Sequence, residues 1–319
     1  MQKQRFQKVL WVLITLTLML AVGCPSQSRK PGAEKKPEVQ GGKEPTISLY
    51  IKESGQKKDI RLEEYLLGVV AAEMEPSWPK EALAAQAILA RTFTMKKIQE
   101  GGVKKHGTDA STDVEEFQAY DPSRVNDRVE EAVQSTRGEV VTYDGGYING
   151  WFFADGGGRT AASAEEGLAY KNEPAPYIKS VTDPGFDITE PENKAWTATF
   201  SLDEVRRAMQ EKTGQDPGSI TSAKITAKGP SGRATTVQVG SVTASAPAIR
   251  LALGSEKMRS TLLDRFEVTG EKLIISGKGY GHGVGMSQWG AKALAGQGKA
   301  PEEIVKYFFK DVKVEKVWE

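Results

Sequence analysis

The chain is poor in the residues that cross-link a fold or bind soft metals. It has one cysteine, Cys24, and two histidines, His106 and His282, among 319 residues. A single cysteine excludes an internal disulfide, and so few nitrogen and sulfur ligands cannot complete a tetrahedral zinc site. We therefore expect a fold held by its apolar core, with no bound metal and no cofactor.

A surplus of charge is also missing. Lysine and arginine together number 43 and the acidic residues 42, which gives a formal net charge of +1. A nucleic-acid-binding protein needs a basic surplus to neutralise phosphates. The balance argues against a nucleic-acid partner and fits an uncharged substrate such as a sugar polymer.

The N-terminus has the parts of an export signal. Lys3, Arg5 and Lys8 precede the apolar run Val9–Val22, which is shorter than the ~20 residues that span a bilayer. The run ends in small residues before Cys24 and resembles a bacterial lipobox, so residues 1–24 are predicted to be a signal peptide with a lipidated Cys24. The alternative is an uncleaved signal anchor with an incidental cysteine. Both alternatives place the rest of the chain outside the cytoplasmic membrane, and lipidation would anchor it there.

Two regions follow the signal. Residues 25–45 are rich in proline, glycine, lysine and glutamate and have hardly an apolar side chain. That composition cannot bury a core, so this region is predicted to be a flexible tether. Residues 46–319 contain no second linker and are long enough for one large domain or two lobes sharing a core. We predict one domain over residues 46–319.

Helical and strand patterns are interleaved without a regular βαβ order, which predicts an α+β fold. Helices are predicted over Leu62–Met74, Pro79–Gln99 and about Arg124–Thr136, from Ser201 to about Lys212, and from Pro301 onward. Strands are predicted over Thr46–Lys52, Glu139–Tyr143, Tyr147–Phe153 and Leu273–Ser276, and as a pair within Ser222–Val239.

The first predicted helix carries one carboxylate on its apolar face. Residues at helical spacings of three and four form that face: Leu62, Leu66, Val69, Val70 and Glu73. Burial there would raise the pKa of Glu73 and let the carboxyl donate a proton near neutral pH. The alternatives are an ion pair, for which Arg91 is the obvious partner, or exposure at a frayed helix end. Glu63, Glu64 and Glu75 are expected to be solvated.

Two long segments resemble the SpoIID family. Glu64–Met95 matches the pattern Y-L-x-G-V-V-A-x-E-M followed by W-P-x-E-A-L-x-A-Q-A-x-A-A-R-T, and Gly279–Ala295 reads GYGHGVGMSQWGAKALA. A weaker resemblance covers GGRTAASAEE at 157–166 and PYIKSV at 176–181. Together, the resemblance covers nearly all of the chain after the tether.

The resemblance implies a lytic transglycosylase that acts on the glycan strands of peptidoglycan, preferably strands stripped of their stem peptides. The bond cut joins N-acetylmuramic acid to N-acetylglucosamine, and a 1,6-anhydro sugar results. One carboxyl suffices, because the tethered 6-hydroxyl replaces the second group that most glycosidases need. Two alternatives remain: a glycan-binding enhancer of a partner cell-wall amidase that does not cut, and a hydrolase that leaves reducing ends.

The resemblance also implies a glycan-binding cleft, with Glu73 as its catalytic acid and base. The substrate-binding residues it implies are polar or aromatic: Gln86, Arg91, Tyr177, Lys179, His282, Ser287 and Gln288. Gln86 and Arg91 could instead make a helix soluble or form an ion pair, and Ser287 could simply cap the next helix. His282 could orient Glu73, and Trp289 could stack on a sugar or belong to the core. The glycines at 277–285 are expected to let backbone approach a ligand.

The chain departs from the family pattern at two places. Some family members bind zinc, and here Ser111, Glu116 and Phe117 stand at the corresponding positions, with only His106 nearby. This departure adds to the prediction of no metal. Phe153 replaces a histidine that the family often has, which puts any role of that position in doubt.

Overall fold

The computed structural model describes residues 42–319. The predicted signal peptide, the lipidation of Cys24 and residues 25–41 of the predicted tether lie outside this range. Within it, no helix combines the length and the apolar character needed to cross a bilayer.

The α+β prediction is confirmed. The described residues form nine α-helices: α1 (Leu62–Glu73), α2 (Lys80–Gln99), α3 (Asp127–Ser135), α4 (Ala164–Leu168), α5 (Pro191–Lys194), α6 (Leu202–Thr213), α7 (Ala246–Leu253), α8 (Gln288–Gly296) and α9 (Pro301–Phe308). Short 3-10 helices cover Pro122–Arg124 and Pro184–Asp187. The strands are β1 (Thr46–Ile51), β2 (Gln56–Arg61), β3 (Ala110–Ser111), β4 (Glu139–Tyr143), β5 (Gly146–Tyr147), β6 (Phe152–Phe153), β7 (Trp196–Ser201), β8 (Ala223–Lys228), β9 (Ala234–Val239), β10 (Val242–Ser245), β11 (Leu263–Thr269), β12 (Lys272–Gly277), β13 (Met286–Ser287) and β14 (Lys313–Lys316).

The strands of residues 42–319 form five small sheets. Three of these are antiparallel, with orders β10-β9-β8, β11-β12-β7 and β14-β4-β5. In the fourth, β1 pairs antiparallel with β2 and parallel with β3. The last is a parallel pair of β6 and β13, whose register joins Phe152 to Met286 and Phe153 to Ser287. This pair connects β13, which follows the glycine-rich segment 277–285, to β6, which follows the antiparallel pair β4–β5.

Two hydrophobic cores are buried, where the sequence suggested one. The first contains α1, α2, α3, α8 and α9, together with β1 and β4. The second lies among β7, β9, β11 and β12 and the helices α6 and α7. Arg233 connects the two regions: its fully buried guanidinium donates to the carbonyls of Arg159 and Gly156 at 2.7 and 2.8 Å. These two regions, called the first lobe and the second lobe, belong to one compact unit that includes residues 42–319.

Helix α1 receives its N-terminal cap from the predicted tether. No side chain of the preceding residue caps it, but Oε1 of Glu44 accepts the backbone N–H of Glu63 at 2.8 Å. Glu44 also pairs with Arg137 at 2.5 Å. An external carboxylate at a helix N-terminus satisfies an unpaired N–H and complements the helix dipole. The tether boundary at residue 45 is therefore corrected, since Glu44 belongs to the folded body.

Helix α2 lies at the centre of the first lobe. Fourteen of its residues are buried, five of them alanines, and these small side chains let neighbouring helices approach closely. It packs against α1, α3, α8 and α9 and against β4. Ser201 caps α6 as predicted, its hydroxyl accepting the N–H of Glu204 at 3.2 Å.

The predicted strand Glu139–Tyr143 is confirmed as β4, whereas the predicted strand Tyr147–Phe153 is wrong in its extent. Asp144 and Gly145 take positive φ values of 48° and 80° between β4 and β5, as a two-residue hairpin turn requires. The predicted strand Tyr147–Phe153 is divided into β5 and β6. The chain turns between them because Gly150 passes over α2, where a Cβ would lie 2.6 Å from the carbonyl oxygen of Leu89.

Candidate active site

Glu73 is the last residue of α1 and the only polar member of its apolar face. The predicted face is confirmed by four fully buried residues: Leu62, Leu66, Val69 and Val70. Glu73 itself keeps partial access to solvent. Its Oε1 accepts a hydrogen bond from the backbone N–H of Ala119 at 2.8 Å. The carboxyl is thus largely enclosed by protein yet keeps contact with solvent.

The protonation of Glu73 is set by two opposing effects. Burial raises the pKa of Glu73 from its ordinary value of 4.5 to about 7, while hydrogen bonds from Ala119 and the Gln288 side chain favour the ionised form and lower it. A carboxyl with a pKa near 7 populates both forms at neutral pH. It is therefore suited to donate a proton and then to accept one.

The segment that carries Ala119 is fixed on both sides of that residue. Nε2 of Gln118 donates to the Thr94 hydroxyl of α2 at 3.0 Å, and the N–H of Asp121 donates to the carbonyl of Gly68 in α1 at 3.0 Å. The hydrogen bond from Ala119 to Glu73 could not be predicted from the sequence, because the donor is a backbone N–H, which every residue except proline has. The contact joins two segments that are far apart along the chain.

Gln288 reaches Glu73 from the start of α8. Ser287 caps this helix, its hydroxyl accepting the N–H of Gly290 at 3.0 Å, which confirms the capping alternative. The Gln288 side chain is 7% exposed and lies beside the Glu73 carboxyl. Its only donor, Nε2, makes a weak contact with that carboxyl and no hydrogen bond of full geometry with any described residue. This nearby donor favours the ionised form of Glu73.

The glycine-rich loop places α8 by close backbone packing. Gly283 and Gly285 have φ values of 83° and 82°, and a Cβ would lie 2.3 Å from Nε of Arg233 and 2.1 Å from the carbonyl oxygen of Trp151, respectively. Only glycine fits these positions. The expectation that these glycines admit a ligand is corrected at these two sites, because protein atoms occupy the space.

Gln86 and Arg91 are both fully buried in α2. The Arg91 guanidinium forms an ion pair with Glu63 at 2.7 Å and donates to the carbonyl of Glu139 at 2.9 Å. The prediction that Arg91 binds substrate is therefore corrected to the ion-pair alternative, with Glu63 as the partner in place of Glu73. Glu63, expected to be solvated, is also corrected. Neither polar atom of the Gln86 amide has a hydrogen-bond partner within residues 42–319.

Tyr177 and Lys179 are engaged by the protein itself. The Tyr177 side chain is 5% exposed, and its hydroxyl accepts the backbone N–H of Asn149 at 2.9 Å. Nζ of Lys179 donates to the carbonyl of Lys306 at 3.1 Å, and burial lowers the pKa of this lysine. The Tyr177 side chain is corrected to a structural role by its burial, whereas partly exposed Lys179 stays a predicted binding residue.

His282 is held within its own loop. Its Nδ1 accepts the N–H of Val284 at 3.1 Å, and its ring packs against the buried Phe153 at 5.6 Å between centroids. Burial and the nearby Arg250 lower the pKa of His282 to about 3 and keep the ring neutral. The described contacts of His282 do not include Glu73, so the prediction that it orients Glu73 is corrected. Phe153 supplies an apolar wall for the imidazole.

Two of the three positions at which the sequence departs from the family's zinc pattern, Ser111 and Glu116, belong to one hydrogen-bonded cluster. The Glu116 carboxylate accepts Nζ of Lys105 at 2.6 Å, Nε2 of His106 at 2.9 Å and the Ser111 hydroxyl at 3.1 Å. The Lys105 contact, with the others, lowers the pKa of Glu116. Residues 42–319 contain no group of three His, Cys, Asp or Glu side chains arranged for a metal. The absence of a metal stays a prediction.

Trp289, the second residue of α8, is partly exposed. Its indole packs against that of Trp78, with ring centroids 4.7 Å apart and the rings tilted by 58°. Trp78 lies in the connection between α1 and α2, five residues after Glu73. The two indoles are therefore a surface next to the carboxyl, and the alternative that Trp289 belongs wholly to the core is wrong.

Fold and site together define an α+β protein with a partly exposed, protonatable carboxyl at the end of α1. The profile of the family described as "Stage II sporulation protein" (SpoIID) matches residues 50–143, and a domain of unknown function, DUF8618, matches residues 177–285. The chain is 31% identical over 311 residues to stage II sporulation protein D of Bacillus subtilis (strain 168), covering 92% of this chain and 87% of that protein.

Two further relatives agree. Stage II sporulation protein D of Bacillus amyloliquefaciens is 33% identical over 310 residues, covering 90% of this chain and 86% of the relative. The protein named "Amidase enhancer" of Bacillus subtilis (strain 168) is 28% identical over 287 residues, covering 76% of this chain and 39% of the relative. The chain belongs to the stage II sporulation protein D family.

Proposed function

We propose that this protein is a peptidoglycan lytic transglycosylase that cleaves the bond between N-acetylmuramic acid and N-acetylglucosamine. The observation that carries the proposal is Glu73, a solvent-reachable carboxyl whose pKa burial raises to about 7. Membership of the stage II sporulation protein D family supports a role in the cell wall. At pH 7 such a group is about half protonated, whereas a carboxyl of ordinary pKa is protonated to less than about 1%.

In the proposed reaction, Glu73 first donates its proton to the glycosidic oxygen of the leaving N-acetylglucosamine. The resulting carboxylate then accepts the proton of the muramoyl 6-hydroxyl as that oxygen bonds to the anomeric carbon. The N–H of Ala119 and the amide of Gln288 stabilise the carboxylate between the two steps. The glutamic acid is regenerated, no water is consumed, and the product carries a 1,6-anhydro end.

A second candidate function is a glycan-binding enhancer of a cell-wall amidase. The likeness to the amidase enhancer of Bacillus subtilis favours it, and a glutamate is compatible with binding alone. A hydrolase that leaves reducing ends is a third candidate, because water could take the place of the 6-hydroxyl. In each case the partner is a peptidoglycan glycan strand.

Product mass separates these three candidates. Purified protein is incubated with denuded glycan strands, and the molecular masses of the products are measured by mass spectrometry before and after borohydride reduction. The proposal expects anhydro-muramoyl ends that borohydride leaves unchanged. Reducing ends would make the protein a hydrolase. Intact strands, together with faster release of stem peptides from peptide-bearing peptidoglycan by an added cell-wall amidase, would make it an enhancer.

We further propose that the protein is exported and held on the outer face of the cytoplasmic membrane by a lipid on Cys24. The motivation is the basic, then apolar, then small-residue order that ends at Cys24. Cells fed a labelled fatty-acid precursor should label the wild-type protein and leave Cys24→Ser unlabelled. Equal labelling of both forms, or an unlabelled wild type, would contradict lipidation.

A further inference from the structure

A lysine lies against both indoles beside the candidate active site. Nζ of Lys292 is 4.6 Å from the ring centroid of Trp78 and 4.2 Å from that of Trp289. All three side chains are partly exposed. An ammonium over an aromatic face is attracted by the negative charge density of the ring. The two indoles therefore hold the charge of Lys292 in a defined place at the protein surface.

That place is next to Glu73. Lys292 follows Gln288 by four residues in α8, so the two side chains leave the same face of the helix one turn apart. The Gln288 amide lies beside the Glu73 carboxyl. Trp78 reaches the same place from the other side, through the connection that follows Glu73. A glycan bound over Glu73 would therefore extend across Lys292 and the indoles.

Lys292 differs from neighbouring lysines in having no anionic partner. Lys299 pairs with Glu303 at 3.0 Å and Lys306 with Glu302 at 2.5 Å. Across the described part of the chain, no carboxylate lies within ion-pair distance of Lys292. An anion that binds this lysine would not have to displace an existing ion pair.

We propose that Lys292, with Trp78 and Trp289, forms a subsite for the lactyl carboxylate of an N-acetylmuramic acid residue. This inference rests on the proposed glycan substrate. The lactyl carboxylate is anionic only after the stem peptide has been removed, because a stem peptide converts it to an amide. The lysine pairs with the carboxylate, and the indoles pack on the apolar face of a sugar ring. The subsite thereby selects strands that an amidase has already processed.

The test measures binding in a Glu73→Gln background, so that the ligands stay intact. The full chain is titrated with a muramic-acid-containing oligosaccharide that has free lactyl carboxylates, with the same oligosaccharide bearing stem peptides, and with a neutral N-acetylglucosamine oligomer. The parent should prefer the carboxylate form over the peptide-bearing form by about tenfold to a hundredfold, as one charged hydrogen bond provides. Lys292→Met should lose this preference and keep its affinity for the neutral oligomer.

Two further variants make the result decisive. Lys292→Arg keeps the charge and should keep the preference. Lys212→Met, which removes an exposed lysine from α6 of the second lobe, should leave all three affinities unchanged. An undiminished preference in folded Lys292→Met would overturn the proposal, as would loss of the preference in Lys212→Met. The preference is a binding measurement, so it can hold even if the wild-type protein cuts no strand and the proposed reaction is wrong.

Discussion

The backbone N–H of Ala119 donates to Oε1 of Glu73 at 2.8 Å, across 46 residues of sequence. This bond sets the proposed catalytic carboxyl against a segment that is itself attached to α1 and α2. The bond favours the carboxylate, whereas burial favours the neutral acid. The two effects leave the pKa of Glu73 near 7, and the predictions below follow from that balance and from the packing that maintains it.

Gly185 fixes the position at which α8 begins. A Cβ on this residue would lie 2.3 Å from the backbone N of Gly290 and 2.3 Å from the carbonyl carbon of Trp289. Backbone atoms cannot rotate away, so Gly185→Ala should shift α8 and reduce the free energy of unfolding by about 1–3 kcal/mol. Denaturant unfolding measures the loss. Gly296→Ala, with no atom within 4 Å of the added Cβ, is the matched control and should be neutral within about 0.5 kcal/mol.

Arg91 is expected to stabilise the folded protein through its buried ion pair with Glu63. Arg91→Met leaves the buried Glu63 carboxylate without its guanidinium partner, which typically costs about 3–5 kcal/mol. Unfolding in urea measures this loss. Arg206→Met breaks an exposed pair with Asp216 at 3.1 Å and should cost less than about 1 kcal/mol. An Arg91→Met protein of wild-type stability that no longer binds glycan would restore the substrate-binding role that the sequence suggested.

Local pattern was enough to predict that Glu73 lies on the apolar face of α1, because helical spacing alone places it with Leu66 and Val70. The cap formed by Ser287 was likewise predictable, since a serine before a helix has few other roles. The partner of Arg91 was not predictable, because Glu63 lies in the first turn of α1 and both its exposure and its pairing depend on tertiary packing. The family resemblance selected a set of polar residues as candidates for substrate binding. Resemblance alone does not distinguish a substrate contact from a hydrogen bond within the protein, such as the one that Tyr177 accepts from Asn149.

Glu73→Gln should stabilise the protein at high pH. Because burial raises the pKa of Glu73, the folded state prefers the protonated acid, and its contribution to stability is full below about pH 4.5 and lost as pH rises through about 7. Glutamine does not titrate. The variant should therefore be more stable than wild type by up to about 3 kcal/mol at pH 8, with the advantage shrinking toward pH 4.

Unfolding at pH 4, 6 and 8 measures this difference directly, and groups that titrate in both proteins cancel. Glu75→Gln changes an exposed glutamate two residues away and is the control. It breaks an exposed ion pair with Arg124 at 2.9 Å, so its stability should differ from wild type by less than about 1 kcal/mol, with no rise between pH 6 and pH 8. A Glu73→Gln protein that is less stable than wild type at pH 8 would contradict the raised pKa.

Gln288→Met should move the pH dependence of cleavage. The Gln288 amide lowers the pKa of Glu73, so its removal raises that pKa and keeps the acid protonated to higher pH. The pH at which the cleavage rate falls by half on the alkaline side should therefore increase, independently of any change in the maximal rate. Gln297→Met, at the exposed end of α8, should leave this pH unchanged. If this pH is unchanged or lower in Gln288→Met, Gln288 does not lower the pKa of Glu73.

The most direct test of the account compares wild type and Glu73→Gln on denuded glycan strands, with the rate of 1,6-anhydro-muramoyl product formation followed by mass spectrometry. Glutamine keeps the shape of the side chain and can still accept the Ala119 N–H, but it has no proton to donate. General acid–base catalysis contributes about 10² to 10⁴ in rate, and one group would serve in both steps. The account predicts a loss near or beyond 10⁴ in a folded variant that still binds glycan, and undiminished cleavage by that variant would contradict it.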